Sequence, residues 1–309
     1  MSPPIQPYFA VLRAWLSVLA LALGATTAGY SAVPNSGASD ELVAVLARVG
    51  GYAERYFARA GAVMSRETVM RQPLGHDLTP DGHGRRLEYD LRVEWEPSVD
   101  GTPVAGRMLR TLLRVDGRPP KPGDDGECTD PETEAPEPLS MFLPVRQSDF
   151  RFTLAGTGKV NGRRVRLLDY REVKQGAPEI AWKESCVSVN LPGRGAGRAW
   201  VDPASGEVLR LDEFVGGPVE IEVPKAQLRP GLDRYMVFER SNVSIRYKPV
   251  TFHDPEETLL MPASIDTLAE WRHSGTLRYR ITQTFTNYRR FVTGGRLVVD
   301  GAPEGALRD

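Results

Sequence analysis

Apolar and polar residues alternate along much of this chain, and that period of two constrains its fold more than any other feature. In the segment LEYDLRVEWE, charged residues separate the apolar positions Leu87, Tyr89, Leu91, Val93 and Trp95. This pattern is typical of a β-strand with one face in the core and the other in water. The segment RMLRTLLRV follows after a turn and is predicted to be its partner strand.

Similar segments recur to the end of the chain, and about ten strands are predicted in total. Turn signals separate them at Asn161-Gly162, at residues 204–206 and at Ser274-Gly275. The later segments are DFRFTLAG, RRVRLLDYREV, IAWKESCVSV, RAWVD, EVLRLDEFV, YMVFERSNVSIRYKPVTF, LLMPASIDTLAEW and TLRYRITQTFTNYRRF. Strands joined by short turns favour an antiparallel sheet over parallel units with crossover helices.

One segment before the strands has a helical period instead. Within residues 36–64, apolar residues recur at spacings of three and four, at Leu42, Val45, Leu46, Val49, Tyr52, Tyr56, Phe57, Ala60 and Val63. Ser39 is predicted to cap this helix, and Gly50-Gly51 allows a kink. The sequence therefore predicts a mainly β (α+β) fold, with a curved antiparallel sheet or half-open β-barrel packed on an N-terminal amphipathic helix.

The N-terminus predicts export. Arg13 precedes the apolar run AWLSVLALALGA, and small residues follow in TTAGYSA. The run is shorter than the roughly 20 residues of a transmembrane helix, so residues 1–32 fit a cleavable signal peptide, with an uncleaved anchor as the alternative. Neither cysteine lies near the cleavage region for a lipid anchor, and no later segment is long enough to span a bilayer. We therefore expect a periplasmic or secreted protein.

The rest of the chain is predicted to be a short polar linker (33–38), a single domain (39–300) and a C-terminal tail (301–309). Within the domain, residues 116–138 are acidic, proline-rich and without periodicity, which predicts a long flexible loop or a functional flap. Cys128 in this loop and Cys186 form an even pair in an exported chain, which favours a disulfide over two unpaired thiols.

Catalytic, cofactor and metal motifs are not found. With 39 Lys+Arg against 40 Asp+Glu, the charge balance does not indicate a nucleic-acid partner. TLAGTGKV and GRGAGR both fail the glycine patterns of phosphate-binding loops, and the four histidines form no metal motif. Asp202, in GRAWVDPASGEVLRLD, is interpreted as a turn residue, because a catalytic acid would need a partner that the sequence does not show. We expect no cofactor and no enzymatic activity.

The helix, this hairpin and the closing segments VSIRYKPVTF, LLMPASID and TFTNYRRF together resemble lipoprotein-carrier-like (LolA/LolB-like) half-barrel proteins, most closely uncharacterised secreted bacterial members. The hairpin motif of that family is occupied here by Trp200, Val201, Asp202, Ser205, Gly206, Val208 and Arg210, and its proline-marked strand entry by Pro262. The resemblance implies a sheet around an apolar cavity that shields a lipid chain from water.

Our first functional hypothesis is accordingly non-covalent binding of a lipid or another apolar ligand in the half-barrel. The candidate cavity lining is the apolar strand face: Leu87, Tyr89, Leu91, Val93, Trp95, Leu209, Leu211, Val243, Ile245, Tyr247, Leu277, Tyr279, Ile281 and Phe285. The alternative is a structural or interaction module with a packed interior that docks an envelope protein. An exported hydrolase is a third reading.

Overall fold

Strands dominate the computed structural model, which describes residues 6–8, 36–60, 62–97, 103–122, 124, 132–135, 138–183, 186–228, 231, 233–253, 256–273 and 275–290. The strands are β1 (Gln6–Tyr8), β2 (Ala62–Leu74), β3 (Arg85–Pro97), β4 (Pro103–Val115), β5 (Glu132–Ala135), β6 (Phe150–Val160), β7 (Arg163–Glu172), β8 (Glu179–Lys183), β9 (Cys186–Asn190), β10 (Gly195–Val201), β11 (Val208–Glu222), β12 (Tyr235–His253), β13 (Glu256–Arg272) and β14 (Thr276–Arg290). One α-helix, α1 (Ser36–Arg59), precedes β2, and short 3₁₀ helices span Pro138–Phe142, Pro144–Asp149 and Lys225–Gln227.

Eleven strands form one curved antiparallel sheet in the order β5-β4-β3-β2-β14-β13-β12-β11-β10-β7-β6. Its two end strands, β5 and β6, do not pair with each other, so the barrel stays open. A smaller sheet has the order β1-β9-β8. The predicted fold class, a half-open antiparallel sheet with an N-terminal helix, is confirmed.

Helix α1 runs without interruption from Ser36 to Arg59, through Gly50 and Gly51. The predicted cap is wrong, because the helix begins at Ser36 and Ser39 lies inside its first turn. Val63 is not on the helix either. It belongs to β2, where it faces the same side as Ser65 and Val69 with the period of a strand.

The two faces of the large sheet differ in what covers them. The helix-packed face, defined by Leu168, Leu211 and Ile245, is buried against α1 in the main apolar core. The apolar spacing correctly predicts that Val45, Val49, Tyr52, Tyr56 and Phe57 of the helix lie in that core. Ala53 also lies there, although it was not predicted. The opposite face, defined by Arg198, Asp212 and Ser244, is called the open face below.

Several predictions concern residues outside the described ranges. Residues 9–35, which hold most of the predicted signal peptide, and the tail 301–309 are among them. Cys128 is another, so its disulfide with Cys186 stays a prediction. Within the predicted 116–138 loop, residues 132–135 form β5 and pair with β4. The part of the chain that is described contains no helix long and apolar enough to cross a membrane.

Candidate functional site

The predicted cavity-lining residues lie on the helix-packed face and are largely committed to packing there. Leu209, Leu211, Ile245 and Tyr247 are buried in the core under α1. Leu87 and Tyr89 form a second apolar cluster with Val69 and Val115.

The remaining members of the predicted lining have the same orientation but different degrees of burial. Leu91 and Phe285 are buried. Val243, Leu277 and Ile281 are partly buried against the apolar clusters. Val93 and Tyr279 are partly buried, and the side chain of Trp95 lies outside the described part of the structure. The predicted lining residues were listed as one group, and the strand register places them together on the helix-packed face.

A large cavity lies on the open face instead. It has a volume of about 1000 Å³ and crosses seven adjacent strands, from β6 to β14. Most of its lining residues come from two cross-strand rows, although Trp200 and Glu213 lie outside them, and we call this cavity the open-face groove. The first row contains Thr153, Asp169, Arg198, Asp212, Ser244 and Asp266. The second row begins with Arg151 and Arg171, continues through Ala196, Phe214, Asn242 and Leu268, and ends at Arg280.

The carboxylates of the first row are bonded within the protein. Arg198 Nε and Nη2 donate to the two oxygens of Asp169, at 2.5 and 2.9 Å. Asp212 accepts bonds from Arg210, at 2.8 and 2.6 Å, and from Ser244 Oγ at 2.8 Å. Since bidentate guanidinium–carboxylate pairs neutralise both partners, Asp169 and Asp212 contribute little net charge to this row.

Another carboxylate of this row, Asp266, accepts a hydrogen bond from Thr282 Oγ1 at 2.8 Å. At the edge of the groove, the Arg210 guanidinium also lies over the Trp200 ring, 4.5 Å from its centre. That stacking fixes the indole as one wall of the groove.

The second row has charged ends, and its middle contains the apolar residues Ala196, Phe214 and Leu268, with the polar Asn242 between the last two. Arg151, Arg171 and Arg280 are exposed and form no ion pair with any described residue. Between them, the Phe214 ring is 45% exposed, which is unusual for a phenylalanine in the middle of a large sheet. The groove therefore offers free cations and an uncovered aromatic surface in one row.

The hairpin between β10 and β11 has a structural role. Asp202 Oδ1 accepts the backbone N–H groups of Ala204 and Ser205, and Arg163 Nη2 bonds both Asp202 and Glu207. Burial acts to raise the pKa of Asp202, but the bonds from Ser205 and Arg163 outweigh it, and the pKa is lowered. An ionised, fully bonded carboxylate suits a turn, as the sequence indicates.

The same turn rests on the helix. Gly206 has φ of +77°, and a Cβ there would lie 2.4 Å from the backbone oxygen of Arg48 on α1. The hairpin that resembles the carrier motif thus touches the backbone of α1, and only glycine fits the contact.

A second polar cluster is buried on the helix-packed face. Glu67 is 0% exposed, and Arg110 Nε donates to its Oε2 at 2.7 Å. Gln283 Nε2 donates to the other carboxylate oxygen, also at 2.7 Å. Arg110 on β4 and Gln283 on β14 thus donate the hydrogen bonds that the buried carboxylate on β2 needs. The cluster therefore links these three strands.

No protein-family model matches the chain, and no curated protein matches it. Among solved structures, it is similar to an outer membrane lipoprotein-sorting protein domain from Vibrio parahaemolyticus, with 9% identity, a TM-score of 0.40, and coverage of 84% of this chain and 95% of that one. A DUF1329 family protein from Desulfovibrio piger also has 9% identity and a TM-score of 0.40, over 80% of this chain and 94% of that one.

The complex of MucA and MucB from Pseudomonas aeruginosa has 13% identity and a TM-score of 0.20, over 83% of this chain and 100% of that one. Because the scores are low, the fold class rests on the strand order and register of this chain.

The groove was missed by sequence reasoning, although one signal for it is present. On β11, Phe214 falls among the polar alternate positions, in phase with Arg210 and Asp212. Single exposed apolar residues are common on protein surfaces, so Phe214 indicates a binding surface only together with the groove that the strand order forms around it.

Proposed function

We propose that this protein is exported and binds a lipid or another apolar ligand non-covalently, without catalysing a reaction. The observation that carries the proposal is the open-face groove, which combines the exposed Phe214 ring, Leu268 and Trp200 with a larger number of polar and charged side chains in about 1000 Å³. Binding sites for small molecules have this size. The apolar side chains of this groove suit the chain of an amphiphile, and its polar side chains suit a head group.

The open face supports this function better than the helix-packed face does. On the helix-packed face, Leu211 and Ile245 already contact the core beneath α1, and a ligand would have to displace it. On the open face, no such displacement is needed. Burial in the groove stabilises a ligand by at most about 0.8 kcal/mol per methylene, which is close to fourfold in affinity.

Binding of the neutral amphiphile monolaurin, measured by isothermal titration calorimetry below its aggregation concentration, tests the proposal. We expect Phe214→Ser to weaken binding about tenfold, because the ligand loses the exposed ring as a contact surface. Val43→Ser is the matched control, since Val43 is an apolar residue on α1 that is 64% exposed. Equal affinity in the wild-type protein and the Phe214→Ser variant, or equal losses in the two variants, would contradict the proposal.

An envelope interaction module is the second candidate. It is favoured by the helix-packed face, because that face is already filled by the apolar core. A module of this kind needs a rigid scaffold with an exposed surface, and the apolar clusters behind the groove supply the scaffold. If monolaurin does not bind and one stoichiometric protein co-purifies with the wild-type chain but not with Phe214→Ser, this second function replaces the first.

A further inference from the structure

We infer that the ligand of the open-face groove is an anionic amphiphile, whose head group binds between Arg151 and Arg171. The inference rests on the proposed function and names the chemical class of the ligand. The head group is an oxygen anion, either a carboxylate or a phosphate, and the apolar part extends from it over Phe214.

The first argument is the distribution of charge in the groove. Asp169 and Asp212 are held by arginines of the protein, and Asp266 accepts a bond from Thr282. Arg151 and Arg171 have no ion-pair partner among the described residues. Asp266 has no cation partner among the described residues, but it lies on β13, several strands away from Arg151 on β6 and Arg171 on β7. The end of the groove at Arg151 and Arg171 therefore has free cations beside ion-paired anions, which complements an anionic ligand.

The second argument is the register of these two arginines. Arg151 on β6 lies directly opposite Arg171 on β7. Like charges at directly opposite positions destabilise an antiparallel pair, whereas two guanidinium groups converging on one oxygen anion are strongly favourable. A bound carboxylate or phosphate turns this repulsive pair into two charge-assisted contacts.

The third argument is the order of side chains along the row. Next to Arg171, the following strand carries Ala196, which is small, and the strand after that carries Phe214. An anion between the arginines thus has an open path over Ala196 to the exposed ring, at about two strand spacings, or roughly 10 Å. Leu268 lies two strands beyond Phe214, with Asn242 between them, so one end of the row suits a head group and the Phe214 ring suits the chain.

The experiment compares four probes of known head group on the full chain: laurate, dodecyl phosphate, monolaurin and dodecyltrimethylammonium. We expect the two anions to bind at least about tenfold more tightly than monolaurin at low salt, and the cation more weakly. The double variant Arg151→Gln/Arg171→Gln is expected to abolish that advantage, so that laurate and dodecyl phosphate bind to it no more tightly than monolaurin binds to the same variant. The control is Arg289→Gln, at an exposed arginine on β14 outside the groove.

The outcomes separate this inference from the function on which it rests. Equal affinities for laurate, dodecyl phosphate and monolaurin, all weakened by Phe214→Ser, overturn the anionic head group and keep the binding function. Failure of every probe to bind overturns both. A preference for laurate or for dodecyl phosphate identifies the head group. Inorganic phosphate that binds as tightly as dodecyl phosphate would reduce the site to an ion site and overturn the amphiphile.

Discussion

The contribution of Glu67 to stability depends on its buried ion pair with Arg110. Its side chain is fully buried, while that of Arg110 is 10% exposed, and the pair is held by two hydrogen bonds. Removing one member of such a pair leaves an uncompensated charge in the core, whereas replacing both by apolar residues is far less costly.

We therefore expect Arg110→Met to lower the free energy of unfolding by about 3–5 kcal/mol. The double variant Glu67→Leu/Arg110→Met should recover much of that loss. Urea denaturation of the two single variants and the double variant gives the coupling energy.

The matched control is the exposed pair formed by Arg234 and Glu222, whose side chains are 60% and 55% exposed. There the coupling should be much smaller, because water screens the charges of an exposed pair. Additive losses at Glu67 and Arg110 would show that the buried ion pair does not act as a unit.

At the scale of elements, the two adjacent glycines of α1 differ in what surrounds them. A Cβ at Gly51 would meet only the end of the Arg55 side chain, at 3.4 Å. A Cβ at Gly50 would lie 2.9 Å from Gln147 Nε2, which donates to the backbone oxygens of Leu46 and Phe142. Gly50 thus makes room for a contact between α1 and the 3₁₀ segment, and Gly51 does not.

We expect Gly51→Ala to raise the free energy of unfolding by about 0.5–1 kcal/mol, the usual gain for alanine over glycine inside a helix. Gly50→Ala should give no gain or a loss, because the added methyl disturbs the Gln147 bonds. Thermal or urea unfolding of both variants checks the difference. Equal gains would show that the Gln147 contact is unimportant.

The strands that the sequence predicted best are those with one dry and one wet face. LEYDLRVEWE became β3, and TLRYRITQTFTNYRRF became β14. β2 was missed because Ser65 and Glu67 stand at buried positions and hide its alternation. IAWKESCVSV was predicted as one strand, but it is the hairpin of β8 and β9, whose pairing depends on tertiary contacts.

The candidate site was harder to predict for a physical reason. Cross-strand rows form between residues far apart in the chain, such as Arg151, Ala196 and Arg280. Alternation tells which residues share a face, but only the register tells which residues are neighbours on it. The apolar face was recognised, whereas the groove on the charged face required the strand order.

At the scale of the whole molecule, the arginine–carboxylate pairs should make the free energy of unfolding depend on pH. The Arg240 bond lowers the pKa of Glu270, and the pKa of Asp202 is also lowered. When the pKa of a carboxylate is lower in the folded state than in the unfolded state, its ionised form stabilises the fold at a pH above the unfolded pKa. This stabilisation is lost as the pH falls through the folded pKa.

We therefore expect the free energy of unfolding to fall below about pH 4, near the unfolded pKa of Asp and Glu. Asp202→Asn should lower stability at neutral pH and reduce the loss between about pH 4 and pH 2. Urea denaturation across this range is the measurement, with Asp40→Asn, at an exposed position on α1, as control. An unchanged pH profile in Asp202→Asn would contradict the role given to this carboxylate.

An open sheet also has consequences for encounters between molecules, because unpaired edge strands are templates for strand addition and aggregation. At one edge, β5 is four residues long and carries two glutamates. At the other, β6 has a register shift between Leu154 and Thr157, with Gly156 at φ of +101°, and ends near the exposed Lys159. A short charged strand and an irregular one are poor templates, so the half-barrel can remain open without recruiting a strand from a neighbouring molecule.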